Sequence, residues 1–165
     1  MKPALLVIDI QKAFLDISPV MTQSINEAIR YTNAAIDFFR EKELPIIVIQ
    51  HMNEASKLMP GQAGFDLPES LKTLPSDLHV HKKYSNSFNQ TPLLNHLQEL
   101  GIDTVILAGF CAEYCVLSTY RGAQDCDLTP IMLLGSLASD ELDNIPFVER
   151  ISETVSLGAL KKFLS

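Results

Sequence analysis

A chain of 165 residues, 47% of them hydrophobic, suits one globular domain with a sizeable core and is too apolar for a disordered protein. Its net charge of −7 argues against a nucleic-acid partner, because phosphate binding needs a basic surface. No apolar run approaches the roughly 20 residues of a membrane span, so we expect no membrane contact. The three cysteines have no framework spacing, which favours a reducing cytoplasm over secretion.

Short apolar runs alternate with helical patterns along the whole chain. In order, we predict a strand over 4–10, a helix from 19–22 to about 42, strands over 46–50 and 78–81, a helix over 92–100, a strand over 104–108, a helix that carries Cys115, a strand over 128–134, a short helix over 147–152, a short strand over 154–156 and a last helix from 157. Strands that are apolar on both faces belong to parallel sheets covered by helices. The pattern therefore predicts an α/β fold, as a single domain over 1–165.

Residues 52–76 show no sustained period and contain several prolines and glycines. A loop of this length is unusual in a compact domain. Two interpretations are open, namely a lid over a site and an arm that packs on another subunit.

Reactive side chains follow the predicted strands. Asp9 ends the first, His51 the second and Lys82 the third, while Cys115 lies in the first helical turn after the fourth. Because ligands bind beyond the carboxyl ends of parallel strands, we expect these residues at one edge of the sheet. Asp9 would take the thiol proton and Lys82 would stabilise the thiolate. Cys115 would attack a carbonyl to form a thioester, which water hydrolyses.

The position of Cys115 at a helix start adds two expectations. The backbone N–H groups and the helix dipole there favour a thiolate over a thiol. They are also suited to hold a developing oxyanion. Each residue has an ordinary role too, since a cysteine is often a small core residue and an aspartate is satisfied by a structural ion pair.

Three separated blocks carry a family resemblance. They are LVIDIQKAF at 6–14, KKYSNSFNQTPL at 82–93, and GFCAEYCV at 109–116, which Thr119 and Arg121 follow. In order and spacing they resemble the isochorismatase-like cysteine hydrolases, the superfamily that includes nicotinamidases, N-carbamoylsarcosine amidohydrolases and isochorismatases. The resemblance implies a three-layer αβα sandwich with a six-stranded parallel sheet.

The resemblance also implies roles for individual residues. Asp9 is the base, Lys82 rather than Lys83 the cationic partner, and Cys115 the nucleophile. The backbone N–H groups of Cys111 and Cys115 form the oxyanion hole, and the Phe110–Cys111 peptide is cis. The family tends toward homodimers and homotetramers, so we expect a homo-oligomer that acts on a small-molecule substrate.

The chain departs from the family in places. Metal-binding nicotinamidases have an Asp-x-His pair after the second strand and further histidines in the next loop, whereas residues 52–76 contain no histidine. We therefore predict no nicotinamidase-type metal site and no cofactor. Glu113 precedes the cysteine where the family has Asp or His, and 134–138 differs from the family after the fifth strand. At Glu113 we expect a side-chain contact of the family to be lost, and at 134–138 we expect a pocket wall that differs from that of the family.

Ring-bearing side chains flank the site and are candidates for the substrate pocket, although each is equally compatible with the core. They are Phe14, His51, Tyr84, Phe88, Phe110 and Tyr114. The leading interpretation is a cytoplasmic cysteine amidohydrolase that acts on a small amide. The alternatives are a hydrolase of a non-amide bond, such as an enol ether or ester, and an inactive oligomeric binding or scaffold protein.

Overall fold

A computed structural model describes residues 1–164, in which six segments pair as parallel strands of one sheet. The strands are β1 (Pro3–Ile8), β2 (Ile46–His51), β3 (Leu78–Lys82), β4 (Thr104–Phe110), β5 (Thr129–Ala138) and β6 (Thr154–Val155). The helices are α1 (Lys12–Leu15), α2 (Pro19–Glu41), α3 (Leu93–Glu99), α4 (Leu117–Asp125), α5 (Asn144–Arg150) and α6 (Leu157–Phe163). A 3₁₀ turn at Ala63–Phe65 and a π-helical turn at Ala112–Val116 complete the described elements.

The strand order is β3-β2-β1-β4-β5-β6. The chain runs outward from β1 through β2 to β3 and then returns to build β4 on the other side of β1. Ile8 at the end of β1 therefore has Ile49 on one side and Gly109 on the other. The reversal between β1 and β4 is the topological switch point, where open parallel sheets form their ligand crevice.

The side chains of β1 alternate between two apolar cores. Leu5 and Val7 pack in the core that contains α2 and Leu160 of α6. Leu6 and Ile8 pack in the core that contains residues of α3, α4 and α5. Helices thus cover both faces of the sheet, which confirms the predicted three-layer αβα sandwich. No helix in residues 1–164 combines the length and the apolar character needed to cross a bilayer.

Helix α2 begins and ends close to the predicted bounds. The Ser18 hydroxyl accepts a hydrogen bond from the Met21 N–H (3.1 Å), and Pro19 occupies the first turn. One face of the helix is buried, including Ile25, Ile29 and Ile36. The helical spacing of these apolar residues explains why the sequence pattern located this element.

The fifth strand is longer than predicted. It continues to Ala138 rather than ending at 134, with a register shift against β4 between Leu107 and Gly109. Gly135 has a φ of 82°, a conformation that other residues rarely adopt, and it lets the strand continue through the irregularity. The predicted helix over 147–152 also begins earlier, as α5.

The long segment over 52–76 packs on its own domain. Phe65 is buried, and its carbonyl oxygen accepts hydrogen bonds from the Gln11 side chain (3.2 Å) and the Gln50 side chain (3.0 Å). Leu58 and Leu71 of the same segment are also buried. The segment is therefore anchored next to the ends of β1 and β2.

Gly109 permits the close approach of β4 to β1. It has a φ of 135°, and a methyl group added to it would overlap the Ile8 carbonyl oxygen. Gly109→Ala should therefore lower the free energy of unfolding by clearly more than the ~1 kcal/mol that such an exchange changes at an unstrained site. Urea denaturation of the purified variant measures this loss.

Gly158→Ala is the matched control, because an added methyl group there meets nothing within 4 Å. In α6 it should be neutral or stabilise by about 0.5–1 kcal/mol. Equal unfolding free energies for the two variants would contradict the close approach.

Candidate active site

Asp9 and Lys82 form a buried ion pair at the carboxyl edge of the sheet. The Lys82 Nζ lies 2.7 Å from Asp9 Oδ2, and the two side chains are 0% and 3% exposed. Asp9 follows β1 with a φ of 53°, which the short polar side chain of aspartate tolerates. Lys82 is the last residue of β3, so its side chain passes the end of β2 to reach Asp9.

Lys82 is fully satisfied by acceptors. Besides Asp9, its ammonium donates to the Tyr84 carbonyl oxygen (3.1 Å) and to His51 Nδ1 (3.2 Å). Burial lowers the pKa of His51, and the adjacent Lys82 charge lowers it further. Since Nδ1 accepts from Lys82, the neutral imidazole carries its proton on Nε2.

Cys115 lies beside this pair in the π-helical turn between β4 and α4. Its Sγ, a carboxylate oxygen of Asp9 and a ring nitrogen of His51 all lie within 4.8 Å of one another. Burial raises the pKa of the Cys115 thiol to about 11, with a further contribution from the Asp9 charge, while Lys82 opposes both. The resting group is therefore a neutral thiol, and the thiolate expected from the helix start alone is not the resting form.

The two oxygens of Asp9 differ in their contacts. Burial raises the pKa of Asp9, although the Lys82 charge opposes this shift. Oδ2 is held by Lys82, whereas Oδ1 is buried and has no hydrogen-bond partner among residues 1–164. Asp9 thus has one fixed oxygen and one oxygen available to accept a proton.

The turn before Cys115 is organised by Cys111. The Phe110–Cys111 peptide is cis, as the resemblance implied. The Cys111 carbonyl oxygen accepts hydrogen bonds from the N–H groups of Tyr114 (3.1 Å) and Val116 (3.2 Å). Burial raises the pKa of the Cys111 thiol to about 12. The Cys111 side chain is therefore a hydrogen-bond donor, and the oxyanion role of its backbone N–H stays a prediction.

Glu113 joins the ends of several elements, a role that the sequence did not suggest. Its carboxylate accepts hydrogen bonds from Cys111 Sγ (3.1 Å), Ser139 Oγ (2.9 Å) and Asn144 Nδ2 (2.8 Å). Burial opposes its ionisation, but its own backbone N–H and these donors outweigh burial and lower the pKa of Glu113. A contact was expected to be lost here; instead Glu113 connects the turn to the end of β5 and to α5.

Other motif residues are structural. Gln11 accepts the His51 N–H (2.8 Å) and donates to the His51 carbonyl oxygen (3.1 Å), which fixes the end of β2 against β1. Ser87 and Thr119 share a hydrogen bond of 2.7 Å between buried hydroxyls, which joins the second motif block to the third. The sequence marked Gln11 through the Asp-x-Gln pattern of the first motif block.

A cavity of about 330 Å³ opens beside the Cys115 thiol. Its lining residues are Asp9, Phe14, His51, Asn53, Ser56, Leu58, Phe110, Cys111, Tyr114, Cys115 and Asp140. Four of the six predicted pocket residues are among them.

The other two lie elsewhere. Tyr84 is exposed, and its carbonyl oxygen accepts a hydrogen bond from Lys82. Phe88 packs against the core on the α3–α4 face. Sequence reasoning missed Asn53, Ser56, Leu58 and Asp140, because a loop sequence carries no periodic signal that shows where it folds back.

Among the described residues, two groups of donor atoms are close enough to share a metal ion. They are Asp9 with His51 and Cys115, and Cys111 with Glu113 and Asp140. The first group already holds the Lys82 ammonium, whose charge opposes a cation. In the second, the Glu113 carboxylate already accepts three hydrogen bonds. We therefore assign no ion to either group.

Comparison with known proteins identifies the family of this chain. Residues 3–136 match the family model described as the isochorismatase domain. The chain belongs to the isochorismatase family. Members of this family are hydrolases, and this chain is accordingly a hydrolase.

Individual relatives agree with this placement. YddQ, an isochorismatase family protein of Bacillus subtilis, is 29% identical over 126 residues, which are 74% of this chain and 70% of YddQ. An isochorismatase-like hydrolase from Alkaliphilus metalliredigens has the same fold, with a TM-score of 0.90, 23% identity and full coverage of both chains. N-carbamoylsarcosine amidase from Thermoplasma acidophilum also has this fold, with a TM-score of 0.81, 24% identity and coverage of 94% and 95%.

Removal of Lys82 should expose the cost of the buried carboxylate. Lys82→Met leaves Asp9 without its partner, and a loss of about 3–5 kcal/mol in unfolding free energy is expected. The loss should shrink toward acidic pH: without Lys82 the folded-state pKa of Asp9 rises further above its unfolded value, so stability falls as pH rises through it.

The double variant Asp9→Asn/Lys82→Met removes both charges and is the control. Urea denaturation should show that it recovers most of the stability lost in Lys82→Met. A double variant as unstable as the single one would show that packing of the lysine stem, rather than charge, causes the loss.

Asp9→Asn should lower the pKa of Cys115. Besides burial, the Asp9 charge raises that pKa, while Lys82, which lowers it, remains. Ultraviolet absorbance of the thiolate, taken as the difference from Cys115→Ala, should show a midpoint below about 11. An unchanged or higher midpoint would mean that Asp9 does not act on the thiol.

Proposed function

We propose that this hydrolase cleaves a small-molecule amide through a thioester on Cys115, with Asp9 as the base and Lys82 as the cationic partner. The observation that carries the proposal is the convergence of these three side chains beside one cavity. We place the reaction in the cytoplasm, where a reducing environment keeps the unpaired Cys115 thiol active.

Acylation begins from the neutral thiol. Asp9 Oδ1 takes the thiol proton as Cys115 Sγ attacks the amide carbonyl carbon, and the carbonyl oxygen becomes an oxyanion. The N–H groups of Cys111 and Cys115 are the donors we propose for this oxyanion. The C–N bond then breaks, Asp9 returns the proton to the leaving nitrogen, and a thioester remains on Cys115.

Deacylation repeats the proton transfers with water. Asp9 takes a proton from the attacking water, the tetrahedral oxyanion forms again, and the C–S bond breaks to release the acid. The proton then passes from Asp9 to the Cys115 thiolate. Lys82 gives up no proton in these steps. Its charge stabilises the Asp9 carboxylate before the proton transfer and the Cys115 thiolate after it.

Amide cleavage is favoured over the non-amide alternative for a chemical reason. A nitrogen leaving group needs a proton, and Asp9 has just received one from the thiol at the same place. The same fold also carries amide hydrolysis in a protein named N-carbamoylsarcosine amidase.

A panel of small amides, enol ethers and esters tests the proposal, with release of ammonia or amine as the readout. Cys115→Ala should reduce turnover of any substrate found by at least about a thousandfold. Asp9→Asn should reduce it by about a hundredfold to ten-thousandfold, even though the same variant makes the thiol more acidic.

Mass spectrometry of the quenched reaction should show an acyl group on the peptide that contains Cys115. Cys126→Ser is the control, because Cys126 is not part of the cavity, and it should retain full turnover. Full turnover by Cys115→Ala, or turnover restricted to enol ethers and esters, would refute the amide mechanism.

A further inference from the structure

We propose that the cavity beside Cys115 prefers substrates whose acyl part carries a positive charge, with Asp140 as the residue that sets this preference. The inference rests on the proposed function, because it names the class of amide that the same site would accept. The expected class is a small amide whose acyl chain ends in an ammonium group.

The charges that line the cavity carry the argument. Among the described lining residues the carboxylic acids are Asp9 and Asp140, and neither Lys nor Arg occurs. Lys82 neutralises Asp9 at 2.7 Å, and the His51 ring is neutral because its Nδ1 accepts a hydrogen bond from the Lys82 ammonium. Asp140 is exposed and is held by no hydrogen bond or ion pair within residues 1–164. Its charge is therefore the uncompensated charge of the cavity wall.

Glu113 adds a second carboxylate behind Asp140. A carboxylate oxygen from each of these residues lies within 4.8 Å of the other and of Cys111 Sγ. Donors from Cys111, Ser139 and Asn144 keep Glu113 ionised, but they are neutral groups and leave its charge in place. Two neighbouring carboxylates, one that lines the cavity and one behind it, attract a cation and repel an anion.

The reactive end of the cavity is distinct in character. There a carboxylate oxygen of Asp9 lies within 4.8 Å of the Cys115 Sγ, and Asp9 Oδ1 is buried and has no hydrogen-bond partner among residues 1–164. Phe14 and Phe110 also line the cavity, and their ring centroids are 4.9 Å apart. Aromatic faces accept alkyl chains and also attract cations. A volume of about 330 Å³ suits a short chain that joins an ammonium group to an amide.

Thiol exchange with charged reagents tests the preference without any knowledge of the natural substrate. The probes are aminoethyl methanethiosulfonate, which is cationic, and sulfonatoethyl methanethiosulfonate, which is anionic. In each case the Cys115 sulfur attacks the sulfenyl sulfur, a disulfide forms and methanesulfinate leaves with the electron pair. Rates are measured in a Cys126→Ser background, and mass spectrometry verifies that Cys115 is the modified residue. Each rate is divided by the rate of the same reagent with free mercaptoethanol.

The normalised cationic-to-anionic rate ratio should be roughly ten. Asp140→Asn should lower this ratio by about threefold to tenfold. Asp140→Lys should invert it. Glu141→Gln is the matched control, because Glu141 is an exposed acid on the same loop outside the cavity lining, and it should leave the ratio unchanged. A ratio near one, or equal effects of Asp140→Asn and Glu141→Gln, would overturn the proposal.

Amide kinetics give an independent reading. With γ-aminobutyramide, butyramide and succinamate as matched amides, kcat/KM should fall in that order. In Asp140→Asn the difference in kcat/KM between γ-aminobutyramide and butyramide should become smaller. The reverse order would overturn the inference while leaving the thioester mechanism intact. Conversely, if the amide mechanism is refuted, the rate ratio of the thiol probes still measures the charge preference of the cavity.

Discussion

The buried ion pair between Asp9 and Lys82 is the constraint on which the site depends. Neither charge is tolerated alone at 3% and 0% side-chain exposure, so each requires the other. The pair connects the ends of β1 and β3 across the end of β2, which brings His51 into the same group of contacts. It also divides the Asp9 carboxylate into an oxygen held by Lys82 and an unpartnered oxygen.

Burial, rather than the helix start, decides the resting state of Cys115. The pKa of Cys115 is about 11, against the ordinary thiol value of 9.0, so ionisation of this thiol costs roughly 3 kcal/mol more than usual. A helix terminus contributes only about 0.3–1 kcal/mol at an exposed site. The neutral thiol next to an ionised Asp9 is therefore the stable form. Transfer of the proton between them leaves the net charge of the site unchanged, so the buried environment does not oppose that step as it would a newly created charge.

The strand order places the cavity. Because the chain reverses direction across the sheet between β1 and β4, the ends of these strands diverge into a crevice, and both Asp9 and the Cys111–Cys115 turn lie at it. Gly109 lets the two strands approach closely just before they separate. Segments remote in sequence then close the crevice. Residues of the 52–76 segment line one side, and Asp140 beyond β5 lines another and gives the wall its charge.

The sequence alone predicted the α/β class, most element positions and the placement of Asp9, Lys82 and Cys115 at one edge of the sheet, because apolar period and motif spacing are local properties of the chain. It did not determine which oxygen of Asp9 is unpartnered, that Glu113 joins the turn to β5 and α5, or that Asp140 lines the cavity while Tyr84 and Phe88 do not. Those features come from contacts between segments far apart in sequence, whose geometry follows from strand order and packing. The charge state of Cys115 belongs with them, since desolvation depends on everything that surrounds the thiol.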